Sequence, residues 1–162
     1  MALKNLSDLL EHMMKDIYYA EKHIEKELPK MAKKADSDEL RKAFEQHTQE
    51  TRGHIENLEK AFEVLGKKAR TEKCEAMDGI LAEGKTIMDE IEDADALDAG
   101  MIASAQAVEH YEITRYGTII SWAKHLGHDE IAKLLQKNLD QEYATDQKLT
   151  KLAESSLNQE AA

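Results

Sequence analysis

Two carboxylates three residues apart interrupt an apolar stretch in the middle of the chain, where buried charge would have a chemical purpose. Glu109 and Glu112 lie in the segment 101–122, and residues three or four apart share one face of a helix. The other members of that face are Ile102, Ala105, Tyr116, Ile119 and Ala123. Charges do not stay buried unless something compensates them. Other parts of the chain must therefore supply partners for this pair.

Three further stretches with helical spacing of apolar residues are interrupted in the same way. The interrupting residues are Glu21 in the first stripe, His47, Glu50 and His54 in the second, and Glu142 and Asp146 in the last. In each stripe they fall near the midpoint. Because the midpoints of antiparallel helices lie at one level of a bundle, we expect these side chains to converge in its interior.

Carboxylates with one or two imidazoles suit iron or manganese better than structural zinc, which favours cysteine and histidine. The candidate metal ligands are Glu21, His47, Glu50, His54, Glu109, Glu112, Glu142 and Asp146. Their combined charge is better matched by two ions than by one, with glutamate bridging between them. In this hypothesis Glu50 and Glu142 bridge or chelate, and the remaining glutamates and a histidine are terminal ligands.

The elements that must position these residues are predicted to be four long helices. Apolar spacing and turn residues place them at about 5–34, 38–65, 96–126 and 129–157, with a shorter helix at 74–92 and a frayed tail from 155 to 162. Short turns join the first pair and the last pair, whereas about 30 residues separate the two pairs. The prediction is one all-α domain, residues 1–162, that forms an antiparallel four-helix bundle with a crossover containing the extra helix.

Composition limits the classes of partner. The net charge of −11 argues against nucleic acid and anionic membranes, which bind basic patches, and it suits cations. The single cysteine, Cys74, excludes an internal disulfide and a CxxC redox pair and fits a reducing compartment. No signal peptide or membrane span is visible, so we expect a cytoplasmic protein.

Several short segments together resemble a known family. They are Tyr19–Lys22, His47–Thr51, Cys74–Met77, Val108–Ile113, Tyr116–Gly117 and Leu139–Glu142. The chain resembles the YciE/YciF (DUF892) family of bacterial stress proteins, which are ferritin-like four-helix bundles related to rubrerythrin. The resemblance implies a homodimer and a di-metal site, with Glu21, Glu50, Glu109, Glu112 and Glu142 at ligand positions. It places Asp146 where rubrerythrin-like proteins use histidine.

The histidine ligand departs from the usual ferritin-like pattern. That pattern is Glu-x-x-His, but Gly53 stands three residues after Glu50, with His54 one residue later and His47 three residues before. Position 47 matches the histidine of the family, whereas the internal symmetry of the chain favours position 54. Both histidines stay candidates.

Three functions are compatible with this sequence. The first is a redox enzyme of oxidase or peroxidase type, which would need a separate electron donor because the chain has no CxxC pair. The second is iron binding or storage without turnover. The third is a structural or interaction protein whose acidic core holds no metal. The residue pattern assigns ligands in the first two functions but no catalytic residue.

Overall fold

Long helices build the part of the chain that the structure describes, residues 3–162 of a computed structural model. They are α1 (Leu6–Lys34), α2 (Asp38–Val64), α3 (Glu75–Glu90), α4 (Ala94–His125) and α5 (Asp129–Leu152). A π-helical turn (Ala153–Leu157) and the short α6 (Asn158–Glu160) follow α5. The predicted helix limits agree with these to within a few residues, apart from the C-terminal end.

Helix packing places α1, α2, α4 and α5 around one core. α1 packs against α2 and α4, and α5 packs against the same two helices. Connections of three residues, 35–37 and 126–128, join α1 to α2 and α4 to α5, which makes each pair antiparallel. α3 lies in the long connection between α2 and α4 and packs on α4 and α1. The predicted four-helix bundle with a crossover helix is confirmed.

The helix ends are fixed by local sequence. The side chains of Asn5, Ser37 and Asp93 accept hydrogen bonds from backbone N–H groups in the first turns of α1, α2 and α4. Gly66 and Gly127 follow α2 and α4 with φ of 69° and 79°, a left-handed conformation that glycine adopts without strain. These stops determine where the midpoint of each helix falls.

Asp98 sets the position of α4 along the bundle axis relative to the hairpin formed by α1 and α2. Its carboxylate is buried and accepts hydrogen bonds from the backbone N–H groups of Asp36, at 3.0 Å, and Ser37, at 2.7 Å. Both donors lie in the connection 35–37 between α1 and α2. The contact therefore joins α4 to the α1–α2 connection through charge-assisted bonds.

Apolar side chains fill the two ends of the bundle and polar ones fill its middle. The buried polar residues are Glu21, His47, Thr48, Thr51, His54, Asp98, Glu109, Glu112, Asn138 and Glu142. Most of them face one another across the bundle.

Within residues 3–162, none of the helices has an apolar stretch long enough to cross a bilayer.

The prediction that residues 155–162 fray is wrong. The backbone stays helical through Glu160, although it widens into a π-helical turn after α5. Ala153 and Leu157 are buried, and this turn packs against α4. Burial of these two apolar side chains offsets the fraying that the polar composition of the tail favours.

Candidate metal centre

Six ionisable side chains meet in the middle of the bundle, and all four core helices contribute. Each is 2% exposed or less. α1 supplies Glu21, α2 supplies His47 and His54, α4 supplies Glu109 and Glu112, and α5 supplies Glu142. Such a concentration of buried ionisable groups is far from the usual content of a helical core.

The six side chains form two groups that share one residue. His47, Glu109, Glu112 and Glu142 form one group, and Glu21, His54 and Glu142 form the other. In each group, nitrogen and oxygen atoms of every member lie within 4.8 Å of one another, close enough to hold an ion between them. The centroids of the two imidazole rings are 6.3 Å apart. The Glu142 carboxylate therefore lies between two potential cation positions.

The inner nitrogen of each histidine lies within ion-pair distance of carboxylates but outside hydrogen-bond geometry. His47 Nε2 is 2.9 Å from Glu109 Oε1, and His54 Nδ1 is 2.9 Å from Glu142 Oε1 and 3.1 Å from Glu21 Oε1. Neither nitrogen has a hydrogen-bond partner within the described residues, so these approaches lack hydrogen-bond geometry. The two histidine nitrogens and the carboxylate oxygens therefore converge on shared points, and no hydrogen bond joins them.

Buried oxygens in the cluster lack partners as well. Both carboxylate oxygens of Glu112 and Glu142, and one oxygen each of Glu21 and Glu109, have no hydrogen bond to any residue of the described chain. Native proteins leave few buried polar atoms unpaired. A cation in each group would coordinate these oxygens and the two histidine nitrogens. The residues present therefore fit metal ions.

Hydrogen bonds from outside the cluster fix the orientation of both imidazoles. His47 Nδ1 lies 3.3 Å from Glu50 Oε2, and His54 Nε2 lies 2.9 Å from Gln141 Oε1. Because a carboxylate or amide oxygen only accepts, each outer nitrogen donates its proton. The inner nitrogen can then present a lone pair to the cluster, an arrangement typical of metal-bound histidine.

A second set of hydrogen bonds holds Glu21. The Tyr116 hydroxyl donates to Glu21 Oε1, and Asn138 Nδ2 donates to the Tyr116 hydroxyl at 3.0 Å. Asn138 Nδ2 also lies 3.2 Å from the carbonyl oxygen of His54, and its own side-chain oxygen accepts from Asn57 at 2.8 Å. One oxygen of Glu21 is therefore held in place, and the other stays free to bind an ion.

The electrostatics of the cluster favour protons when no ion is bound. Burial and the neighbouring carboxylates raise the pKa of Glu112 well above its usual range, and burial raises the pKa values of Glu109 and Glu142 in the same direction. Burial alone would lower the pKa of His54, but the carboxylates of Glu21 and Glu142 outweigh it and raise that pKa to about 11. Metal ions would have to displace these protons.

Two predicted ligands, Glu50 and Asp146, lie outside both groups. Glu50 is partly exposed and also accepts hydrogen bonds from Gln46, at 2.8 Å, and Thr145, at 3.3 Å. Asp146 accepts from Gln106 at 3.2 Å and lies 3.1 Å from Nε2 of the exposed His110. In this conformation neither carboxylate reaches the groups.

The two candidate histidines, His47 and His54, both reach the cluster, and each lies in a different group. The residues that the sequence did not indicate are Asn138 and Gln141. Asn138 stands four residues before Glu142 and so on the same helix face, which was an available signal. Gln141 is exposed, and nothing in its spacing indicates its bond to His54.

Comparison with known proteins gives consistent results. Residues 5–162 match a family described as "Domain of unknown function (DUF892)". The chain is 40% identical to the protein YciF of Escherichia coli over 162 residues, which cover 99% of this chain and 98% of that protein.

Two solved structures cover most of the chain. The crystal structure of the E. coli stress protein YciF has a TM-score of 0.92 at 39% identity and covers 96% of this chain and 99% of that one. The structure of YcfI from Rhodopseudomonas palustris has a TM-score of 0.89 at 46% identity, with 91% and 94% covered. Both support the fold.

Proposed function

The chain belongs to the DUF892 family, as its motifs predict, and we propose that its buried cluster binds two metal ions, iron or else manganese, in a bacterial stress protein. The observation that carries this proposal is the pair of ligand groups that share Glu142, with unpaired donor atoms facing inward. The stress role rests on the E. coli relative, which is described as a stress protein.

The proposed ligand sets follow the two groups. In this proposal His47, Glu109 and Glu112 would hold one ion, Glu21 and His54 would hold the other, and Glu142 would contribute to both. Two divalent ions balance the formal charge of the four buried carboxylates. The two histidines of the cluster, even if both were protonated, would balance only half of it. Oxygen-rich sites with imidazole nitrogens match iron and manganese.

The proposed chemistry is oxidase or peroxidase in type. Two such ions, when bound, supply redox equivalents and open coordination positions for the reduction of dioxygen or peroxide. The chain itself buries every ligand, and it orients His47, His54 and Glu21 through Glu50, Gln141 and Tyr116 respectively. Electrons must come from a separate donor protein, since the chain has one cysteine and no redox pair.

Metal analysis tests the binding proposal. Metal-free protein is reloaded with Fe(II) or Mn(II) under anaerobic conditions, desalted and analysed by mass spectrometry for metal and protein. We expect about two ions per chain, one for each ligand group. Less than one ion per chain for both metals would contradict the proposal. Peroxide turnover above that of the same amount of free iron would then support the redox function.

A metal-free structural or interaction protein is the second candidate. Its supporting observation is that the raised pKa values of His54, Glu109, Glu112 and Glu142 let protons neutralise the cluster without any ion. The description of the R. palustris relative also proposes a structural role for that protein. This candidate predicts that neither Fe(II) nor Mn(II) changes the free energy of unfolding.

The assembly we propose is a homodimer, which also bears on iron storage. Storage needs a hollow particle with a mineral-binding interior, whereas a dimer encloses no such space. Size-exclusion chromatography with light scattering measures the mass in solution. A dimer would exclude storage of the ferritin type, and a large particle would favour storage over the redox function.

A further inference from the structure

A cavity of about 100 Å³ leads from the surface to one side of the cluster. His47 and Glu109, both buried, form its inner end, and the exposed residues Gln46, Ala144 and Lys148 lie around its outer end. Neither Glu21 nor His54 lines it. The cavity therefore reaches one of the two ligand groups directly.

The volume sets the size of molecule that fits. A water molecule occupies about 30 Å³ in the liquid, and an apolar cavity of about 150 Å³ holds benzene or xenon. At about 100 Å³, this cavity holds a few waters or a molecule of two to four heavy atoms. The enclosed space is smaller than a cavity known to hold benzene, so it favours small molecules.

The walls of the cavity set the charge of that molecule. Between the two ends lie the buried apolar side chains of Leu28, Phe44, Ala105 and Leu149. An ion passing them would lose its hydration shell without compensation. These walls favour an uncharged molecule.

One strip of the wall is polar and connects the surface to the ligand. Lys148 Nζ donates to Gln46 Oε1 at 2.9 Å, and Gln46 Nε2 donates to Glu50 Oε1 at 2.8 Å. Glu50 in turn accepts from His47. These hydrogen bonds fix the side chains beside the cavity, so the passage is a property of the folded chain and does not depend on a bound ion.

We propose that this cavity is the route by which a small uncharged oxidant, of the size of dioxygen or hydrogen peroxide, reaches the position where His47 and Glu109 would hold an ion. The identity of the occupant rests on the proposed function, but the passage can be tested without any metal.

The first experiment uses xenon on metal-free protein, because xenon is uncharged and binds in apolar cavities. In crystals pressurised with xenon we expect density between Phe44 and Leu149. Ala144→Trp, which fills the outer end, should abolish it, whereas Ala82→Trp on the exposed face of α3 should not. Ala105→Val, which narrows the interior, is a second variant in case Ala144→Trp perturbs folding. Absence of xenon from the wild type, or its persistence in both cavity variants, would overturn the proposal.

The second experiment uses Fe(II)-loaded protein with nitric oxide as an uncharged probe and azide as an anionic one, followed by stopped-flow absorbance. Ala144→Trp should slow nitric oxide association at least about tenfold, since the added ring must be displaced, while Ala82→Trp matches the wild type. Azide should associate more slowly than nitric oxide in every form.

Equal rates of nitric oxide association in Ala144→Trp and Ala82→Trp would overturn the proposal. So would slower Fe(II) loading with unchanged nitric oxide association, which would make the cavity a metal route. If no iron binds, the proposed function fails while the xenon result still decides the passage.

Discussion

Glu142 differs from the other carboxylates of the cluster because it belongs to both ligand groups. Glu109 and Glu112 serve only the group with His47, and Glu21 serves only the group with His54. Both oxygens of Glu142 are buried and unpaired within residues 3–162. A change at this one residue should therefore affect two ions, whereas a change at Glu21 should affect one.

The first prediction compares Glu142→Gln with Glu21→Gln. An uncharged amide is a poorer ligand for iron or manganese, so Glu142→Gln should lower the metal content from about two ions per chain to below one. Glu21→Gln should leave about one. Metal analysis after anaerobic reloading measures both, with Glu130→Gln on the exposed face of α5 as the control. If Glu142→Gln keeps the wild-type content, Glu142 does not bridge.

The second prediction separates a ligand from a residue that orients a ligand. Glu50 holds Nδ1 of His47 from outside the groups, so Glu50→Gln should weaken metal binding about 10- to 100-fold and keep the number of ions at saturation. Competition with a chelator gives the affinity, and Glu45→Gln, exposed on the same helix, is the control. Loss of a whole ion at saturation would instead support the ligand role that the sequence pattern predicts for Glu50.

At the scale of the helices, the site depends on how far each helix is shifted along the bundle axis relative to its neighbours. Glu109 and Glu112 meet Glu21 and the histidines only if α4 has the right height against the α1–α2 hairpin. Asp98 accepts two backbone N–H groups at the turn of that hairpin and is itself buried. Loss of the Asp98 carboxylate should therefore disturb this alignment.

The third prediction concerns Asp98→Ala. Two backbone donors lose a charged acceptor, so the free energy of unfolding should fall by about 1–3 kcal/mol. Urea unfolding followed by circular dichroism measures it. Asp129→Ala, at an exposed site in the first turn of α5, should change stability by no more than about 0.5 kcal/mol. A similar small change for Asp98→Ala would mean that α4 is aligned by core packing alone.

At the scale of the whole molecule, acidic charge is concentrated both outside and inside. The chain has a net charge of −11, which includes the buried carboxylates of the cluster, and these cannot all stay ionised without a counter-charge. Protons or metal ions must supply it. The stability of the metal-free protein should therefore fall as the pH rises, and this fall should be much smaller once metal ions have replaced the protons.

The fourth prediction is that metal-free protein becomes less stable as the pH rises from 6.5 to 9. The pKa of His54 is raised from 6.5 to about 11, so the folded state keeps a proton that the unfolded state releases. That contribution is complete below pH 6.5 and is lost as the pH approaches 11, with a slope of at most about 1.4 kcal/mol per pH unit. The raised pKa values of Glu109 and Glu142 act in the same direction above their ordinary value of 4.5.

Urea unfolding in the presence of a chelator, at steps of pH, measures this dependence. His54→Gln removes the group and should flatten the curve. Metal affinity should rise over the same range, because ions replace protons in the cluster. A stability of the metal-free wild type that increases between pH 6.5 and 9 would contradict the prediction.

Much of this architecture is determined by sequence alone, because it depends on short-range rules. Alternating spacings of three and four residues define the helix faces, and Asn5, Ser37, Asp93 and the glycines after α2 and α4 set the ends. With the ends fixed, the level of each interrupting residue follows, so the convergence of Glu21, Glu109 and Glu142 was predictable.

Only the tertiary structure decided which residues lie within each group. Helix rotation and interhelical distance decide whether a carboxylate next to the buried stripe points inward, and spacing resolves this to no better than one position on a face. Spacing alone therefore could not distinguish His47 and His54, which reach the interior, from Glu50 and Asp146, which do not. Gln46 and Thr145 hold Glu50 at the edge of the cluster, and Gln106 and His110 hold Asp146 there. The partners of the ligands come from other helices, as when Gln141 of α5 orients His54 of α2, and no pattern within one helix encodes such a contact.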